Sequence, residues 1–166
     1  MTSYTADGYP TVAPWVIVDR ADDFIEFAQH VFGAELRFAP HYLDEEKTHV
    51  GHAELRIGDS LIMLFDRQDG WAPTPAFLNL YVPDADETHR RALDRGAVEV
   101  TRLATNAWGA RGSRLLDPFG NLWWINTQVE DPSEEQMAER MEQDHYAEIL
   151  TDAIGTLDRH LRDRIR

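Results

Sequence analysis

Three groups of side chains in this sequence could do chemistry, and their spacing limits what that chemistry is. His49 and His52, in the run His-Val-Gly-His, suggest a zinc pair. On a strand, however, a separation of three puts two side chains on opposite faces, so one ion cannot take both. His52, Glu54 and Arg56 do share a strand face, opposite Leu55 and Ile57. That face is either solvated or the wall of a pocket; as a wall, His52 and Glu54 could serve as acid and base or orient a polar ligand. Arg111 offers a planar fork to a ligand carboxylate or phosphate, or a structural bridge to Asp117. No residue is set up as a covalent nucleophile. The chain has no cysteine, no GxSxG elbow, no Walker loop, no dinucleotide fingerprint and no HExxH.

The third group is aromatic. Residues 117–127, DPFGNLWWINT, run from an Asp-Pro and Gly-Asn turn into the most apolar short strand of the chain. Side chains alternate along a strand, so Trp123 and Trp124 face opposite ways. One reading packs Trp123 against helices and leaves Trp124 to a pocket; the other makes both ordinary core residues. In residues 77–82, FLNLYV, the apolar face of Leu78, Leu80 and Val82 suits packing against a helix. Phe77, Asn79 and Tyr81 are left on the other face, an aromatic and amide wall of the kind that binds organic ligands.

The elements that must position these residues repeat. Residues 12–18 read as a strand, with Pro14 near its start. Residues 21–33 read as a helix with Phe24, Phe27, Val31 and Phe32 at helical spacing and Gly33 as its stop. Strands follow over 36–42 and 48–57, and a hairpin turn at Gly58-Asp59 leads into another. The order βαβββ then recurs: a strand over 77–82, a helix over 84–95 capped by Asp84 with Glu87 and ended by Gly96, and strands over 98–103, 113–116 and 122–127. Single residues match as well, Ser60-Leu61-Ile62-Met63-Leu64 against Asn121-Leu122-Trp123-Trp124-Ile125. Two copies of one motif organise the chain. The expected divisions are an unanchored N-terminal arm (1–11), a first module (12–66), a second module (76–130) and a C-terminal helical extension (133–166).

That extension opens with a capping box at Ser133 and Gln136. Leu150, Ile154, Leu157, Leu161 and Ile165 then form an apolar stripe, with Arg159, Arg162, Arg164 and Arg166 crowding the end. The stripe packs either on its own domain or on a second subunit.

Composition excludes several classes. A chain of 166 residues with 43% hydrophobic content is globular, and a net charge of −14 disfavours nucleic acid. No apolar run reaches the roughly 20 residues of a membrane span, and no secretion signal is evident. The expectation is a cytoplasmic protein, a homodimer by the default of soluble oligomers.

The tandem repeat, with GAEL at 33–36, HAELRIGDSLIML at 52–64 and WGARGSRLLDPFGNLWWI at 108–125, resembles the vicinal oxygen chelate superfamily of glyoxalases, extradiol dioxygenases and fosfomycin- and bleomycin-resistance proteins. The resemblance implies an α+β fold in which the two modules curl a mixed sheet into a cup with helices outside. In the family's metalloenzymes a divalent cation in the cup is held by His, Glu or Gln from the first and last strand of each module. The corresponding positions here are Ala13, Met63, Phe77 and Trp124. Hydrocarbon and indole groups cannot coordinate such an ion. The resemblance therefore points to a metal-free protein without cofactor that binds a small aromatic or cationic molecule, in sequestration or resistance. Its expected binding residues are Trp15, His52, Met63, Phe77, Asn79, Tyr81, Trp108, Arg111 and Trp124. Two alternatives stand beside it. One is a lyase, isomerase or dioxygenase-type enzyme using His52 and Glu54 or an unrecognised metal site. The other is a regulatory or assembly protein acting through its C-terminal helix.

Overall fold

Alternation along each strand decides which side chains meet a helix and which are left for function. The computed structural model describes residues 4–163, divided between two compact units, Met1–Ala76 and Phe77–Arg166. The first contains β1 (Trp15–Val18), α1 (Ala21–Phe32), β2 (Glu35–Leu36), β3 (His41–Tyr42), β4 (Val50–Ile57) and β5 (Ser60–Asp66). Its sheet runs β1-β5-β4-β2, with β3 also paired to β4. Only β1 and β5 pair in parallel. Val16, Ala53, Leu55, Ile62 and Leu64 are buried on one face. Phe24, Phe27, Ala28 and Val31 of α1, one helical stripe, are buried with them.

The start of α1 is capped from a distance. Arg20 makes no side-chain cap; instead the Ala21 amide donates to Asp66 Oδ1 at 2.7 Å, and the Val50 amide donates to Oδ2 at 2.7 Å. One buried carboxylate at the end of β5 thus ties a helix N-terminus to β4, where the helix dipole favours a negative charge. Gly33, left-handed at φ 67°, ends the helix as expected.

The second unit contains β6 (Phe77–Tyr81), α2 (Ala85–Asp94), β7 (Val98–Thr105), β8 (Ala110–Leu116), β9 (Leu122–Gln128), α3 (Glu134–Met141) and α4 (Asp144–Asp163). Its sheet runs β6-β9-β8-β7, with β6 parallel to β9. Asp84 caps α2 by accepting from the Glu87 amide at 2.9 Å. The Glu87 carboxylate turns to Arg90. Helix α2 packs on β7, β8 and β9, and α4 contacts β7.

Four expectations change. The strand expected over 36–42 is two short strands, because Pro40 has no amide to donate and the chain bends between Leu36 and His41. The arm is anchored: Tyr9 donates to Glu54 and the Asp7 carbonyl accepts from Arg37. The strand expected over 113–116 begins earlier, at Ala110, and so includes Arg111. Helix α4 packs on its own unit, and only partly through the expected stripe, of which Leu150 and Leu157 are half-buried. Ile149 is the residue it buries, while Ile154 and Leu161 are exposed; Arg164, Ile165 and Arg166 lie outside the described residues.

The turn before β9 depends on Asp117. Its Oδ1 accepts from the Phe119 and Asn121 amides at 2.9 and 2.8 Å. Its Oδ2 accepts from Asn121 Nδ2 and Trp123 Nε1 at 3.0 and 2.9 Å. Burial pushes the Asp117 pKa up, the donors pull it down, and burial prevails. Asp117→Asn removes the buried charge but turns an NH2 group toward other donors. We expect a net loss of about 1–3 kcal/mol, measured by urea unfolding, with the Trp123 environment disturbed in near-UV circular dichroism.

Candidate functional site

Opposite α1, the first sheet presents a row set by strand register: Trp15 on β1, Met63 on β5 and Glu54 on β4. Glu54 is 5% exposed. Its Oε1 accepts from the Tyr9 hydroxyl at 2.6 Å and lies 3.0 Å from His52 Nε2, and its Oε2 accepts from Arg37 Nη1 at 3.1 Å. Arg37 stacks on the Tyr9 ring, 4.4 Å from its centroid. Burial pushes the Glu54 pKa up, but the hydrogen bonds from Tyr9, His52 and Arg37 outweigh it and hold the pKa below the ordinary value. Glu54 is therefore an anchoring carboxylate, with both oxygens committed. The solvated-face reading fails for Glu54 and holds in part for His52, which is 39% exposed.

Around this carboxylate runs an edge-to-face aromatic series. Trp15 meets His52 at 5.6 Å and Phe65 at 5.2 Å, and Phe65 meets Trp71 at 6.1 Å. Trp15 is 47% and Trp71 49% exposed. Phe65 and Trp71 escaped the sequence reading. Phe65 lies two residues after Met63 on the same face, a signal that was present; the placing of Trp71 by its loop had none.

In the second unit the face opposite α2 carries the matching row. Asn79, Trp124, Arg114 and Thr101 are paired in turn across β6, β9, β8 and β7. The Arg114 guanidinium stacks over the Trp124 ring at 4.4 Å. Helix α4 covers this row. Thr101 and Thr156 hydroxyls lie 2.7 Å apart, Arg114 Nη1 donates to the Ala153 carbonyl at 2.6 Å, and Arg102 pairs with Asp152 at 3.2 Å. Trp123, on the opposite face, is buried. Arg114 was missed, although the 117–121 turn pairs Leu116 with Leu122 and so sets Arg114 beside Trp124.

The expected binding residues therefore separate. Trp15, His52 and Met63 come together with Glu54 on the first sheet. Phe77, Asn79 and Tyr81 share a face with Trp124; Phe77 and Tyr81 are exposed, and Asn79 accepts from Asn126 Nδ2 at 2.8 Å. Trp108 and Trp124 line a cavity under α4. Arg111 joins neither group. It grips Asp86 of α2 through two bonds of 2.5 and 2.6 Å, and Asp117 is occupied by its own turn. Alternation puts Arg111 on the face of Ser113 and Leu115, opposite that of Arg114. Trp124 does not form an open wall, since Arg114 and α4 cover it.

The model of the Glyoxalase/Bleomycin resistance protein/Dioxygenase superfamily matches residues 9–125. The chain belongs to this superfamily. An uncharacterised protein of Mycobacterium bovis is 31% identical over 144 residues, spanning 80% of this chain and 92% of that one. TioX from Micromonospora sp. ML1 shares the fold with a TM-score of 0.58 at 22% identity, over 72% of this chain and all of that one. So does the fosfomycin resistance protein FosX of Listeria monocytogenes, solved with Mn(II) and a dihydroxypropylphosphonic acid: TM-score 0.55 at 15% identity, over 80% of this chain and 98% of that one.

The side chains at the family's ligand positions do not fit a divalent cation. Ala13, Met63 and Phe77 bring no oxygen or nitrogen, and the indole of Trp124 donates but cannot accept. Glu54 is already bound to three donors, and the second row centres on a guanidinium that repels a cation. Among the described residues no three His, Asp or Glu side chains gather as a ligand set.

The depressed Glu54 pKa has a definite sign. Its stabilising contribution is complete above the unfolded glutamate pKa, about 4.3, and is lost as pH falls through the lower folded value. The difference in urea midpoint between wild type and Glu54→Gln should be full at about pH 6 and shrink steadily below about pH 4. A difference that stays constant over that range contradicts the assignment.

Proposed function

We propose that this chain is a metal-independent, small-molecule-binding member of the superfamily. Its ligand is a flat aromatic molecule, cationic by preference, held against the face of Trp15, Phe65 and Trp71. The observation that carries this reading is that aromatic series, in which two indoles remain about half exposed beside a well-buried core. Contiguous exposed aromatic surface marks binding sites on soluble proteins, and indole faces stack on flat π-systems. The net charge of −14 favours a cationic guest over an anionic one at this surface. Sequestration is the matching activity, in keeping with the resistance proteins named in the superfamily's description.

Proflavine, a flat aromatic cation, is a direct probe. Its titration should quench tryptophan fluorescence saturably. Trp15→Ala and Trp71→Ala should each weaken binding by about 1–3 kcal/mol, roughly 5- to 150-fold, the usual cost of removing one stacking platform. Quenching that does not saturate, or affinity that survives both substitutions, contradicts the proposal.

The His52–Glu54 pair favours a second reading on the same face, that of an isomerase or lyase. His52 is half-exposed, edge-on to Trp15, and oriented by a buried carboxylate, the arrangement a proton-transferring imidazole needs. In this reading Glu54 positions His52 and does not itself accept the proton. Loss of turnover in His52→Gln with unchanged proflavine affinity would favour it over pure sequestration.

A further inference from the structure

We infer that the cavity beneath α4 in the second unit is a binding site for a monocarboxylate with a short apolar tail. Arg114 is 7% exposed and lines a cavity of about 80 Å³ with Trp108, Trp124, Tyr146 and Ile149. Its Nη1 donates to Thr101 Oγ1 and to the Ala153 carbonyl, both neutral acceptors. No protein group accepts from its Nε. Asp152 also borders the cavity, but its carboxylate pairs with Arg102. Among the described residues, no acid forms an ion pair with Arg114.

A guanidinium withdrawn from water without a counter-charge is strongly disfavoured, and its burial accordingly lowers the Arg114 pKa. Sheet packing alone does not require a cation there, because Leu or Met at position 114 would fill the same space without that cost. A bound anion supplies what the protein omits. The planar fork of arginine matches a carboxylate, which it can engage through its terminal nitrogens. Stacking on Trp124 fixes the plane of the fork and leaves its edge for the ligand.

The rest of the lining sets the tail. Ala107, Met141, Ile149 and the two indoles are apolar. An apolar cavity of about 150 Å³ accepts benzene, so about 80 Å³ limits the tail to a few carbons. The residues of this cavity all belong to the second unit and those of the aromatic face to the first, and the two ligands have opposite charge preferences.

Isothermal titration of the full-length protein with butyrate, butyramide and inorganic phosphate tests the assignment. Butyrate should bind at least about tenfold more tightly than the neutral amide, the difference expected for a charge-assisted hydrogen bond. Arg114→Gln should abolish that preference while leaving proflavine binding unchanged. The comparison of butyrate with butyramide on the wild-type protein stands even if the variant does not fold. Equal affinity for butyrate and butyramide, or no heat from butyrate at about 10 mM, well above a millimolar Kd, overturns the proposal. Phosphate binding more tightly than butyrate also overturns it, in favour of a tetrahedral anion.

Discussion

The stack of Arg114 on Trp124 is the interaction from which the character of the second unit follows. It is dictated by alternation. The Asp117 turn captures the Trp123 indole through Nε1, so Trp123 faces α2 and its neighbour Trp124 faces the other way. The same turn pairs Leu116 with Leu122, and the register then sets Arg114 opposite Trp124. Once a guanidinium lies on that indole, the centre of the sheet is positively charged and aromatic. Such a centre repels divalent cations and attracts anions. Helix α4 completes the arrangement by closing over the row and accepting from Arg114 through Ala153.

The first unit solves the equivalent position differently. Glu54 occupies the place on β4 that Arg114 has on β8, each directly opposite the repeat-related residue of the last strand, Met63 or Trp124. A buried carboxylate here needs positive or donating neighbours, and it has three: Tyr9 from the N-terminal arm, Arg37 from the bend after β2, and His52 from its own strand. The need for those donors explains why the arm is ordered against the sheet. Gly8 is left-handed at φ 74°, and a Cβ there would lie 2.7 Å from Arg37 Nη2. The left-handed backbone of the arm at this point favours glycine. With its polar groups mutually satisfied, this face is left to present Trp15, Phe65 and Trp71.

Much of the fold was legible in the sequence because it rests on local rules. Gly33 and Gly96 stop helices, Gly58-Asp59 turns a hairpin, Asp84 and Ser133 cap, and the period of two separates Trp123 from Trp124. The repeat follows from these, and the likeness to the superfamily from the motifs at 33–36, 52–64 and 108–125. What escaped were contacts between segments far apart in the chain. Tyr9 reaches Glu54 across 45 residues, and Arg111 finds Asp86 and not the nearer Asp117. Helix α4 packs through only part of its most regular apolar stripe, Leu150 and Leu157 being half-buried while Ile154 and Leu161 are exposed. Ile149 and Thr156, which meet the sheet, lie beside that stripe and include a hydroxyl that a hydrophobicity pattern passes over. The aromatic residues of the site were identifiable by type, but which of them stay open depended on α4 and on Arg114.

The central claim is that this superfamily member has replaced metal coordination by aromatic and guanidinium groups. Metal content tests it most directly. The purified protein would be equilibrated with Mn(II), dialysed against metal-free buffer and analysed by inductively coupled plasma mass spectrometry, with tryptophan fluorescence followed in parallel. The account predicts no stoichiometric retention and no paramagnetic quenching. One Mn(II) retained per chain, with quenching of the indoles, would contradict it.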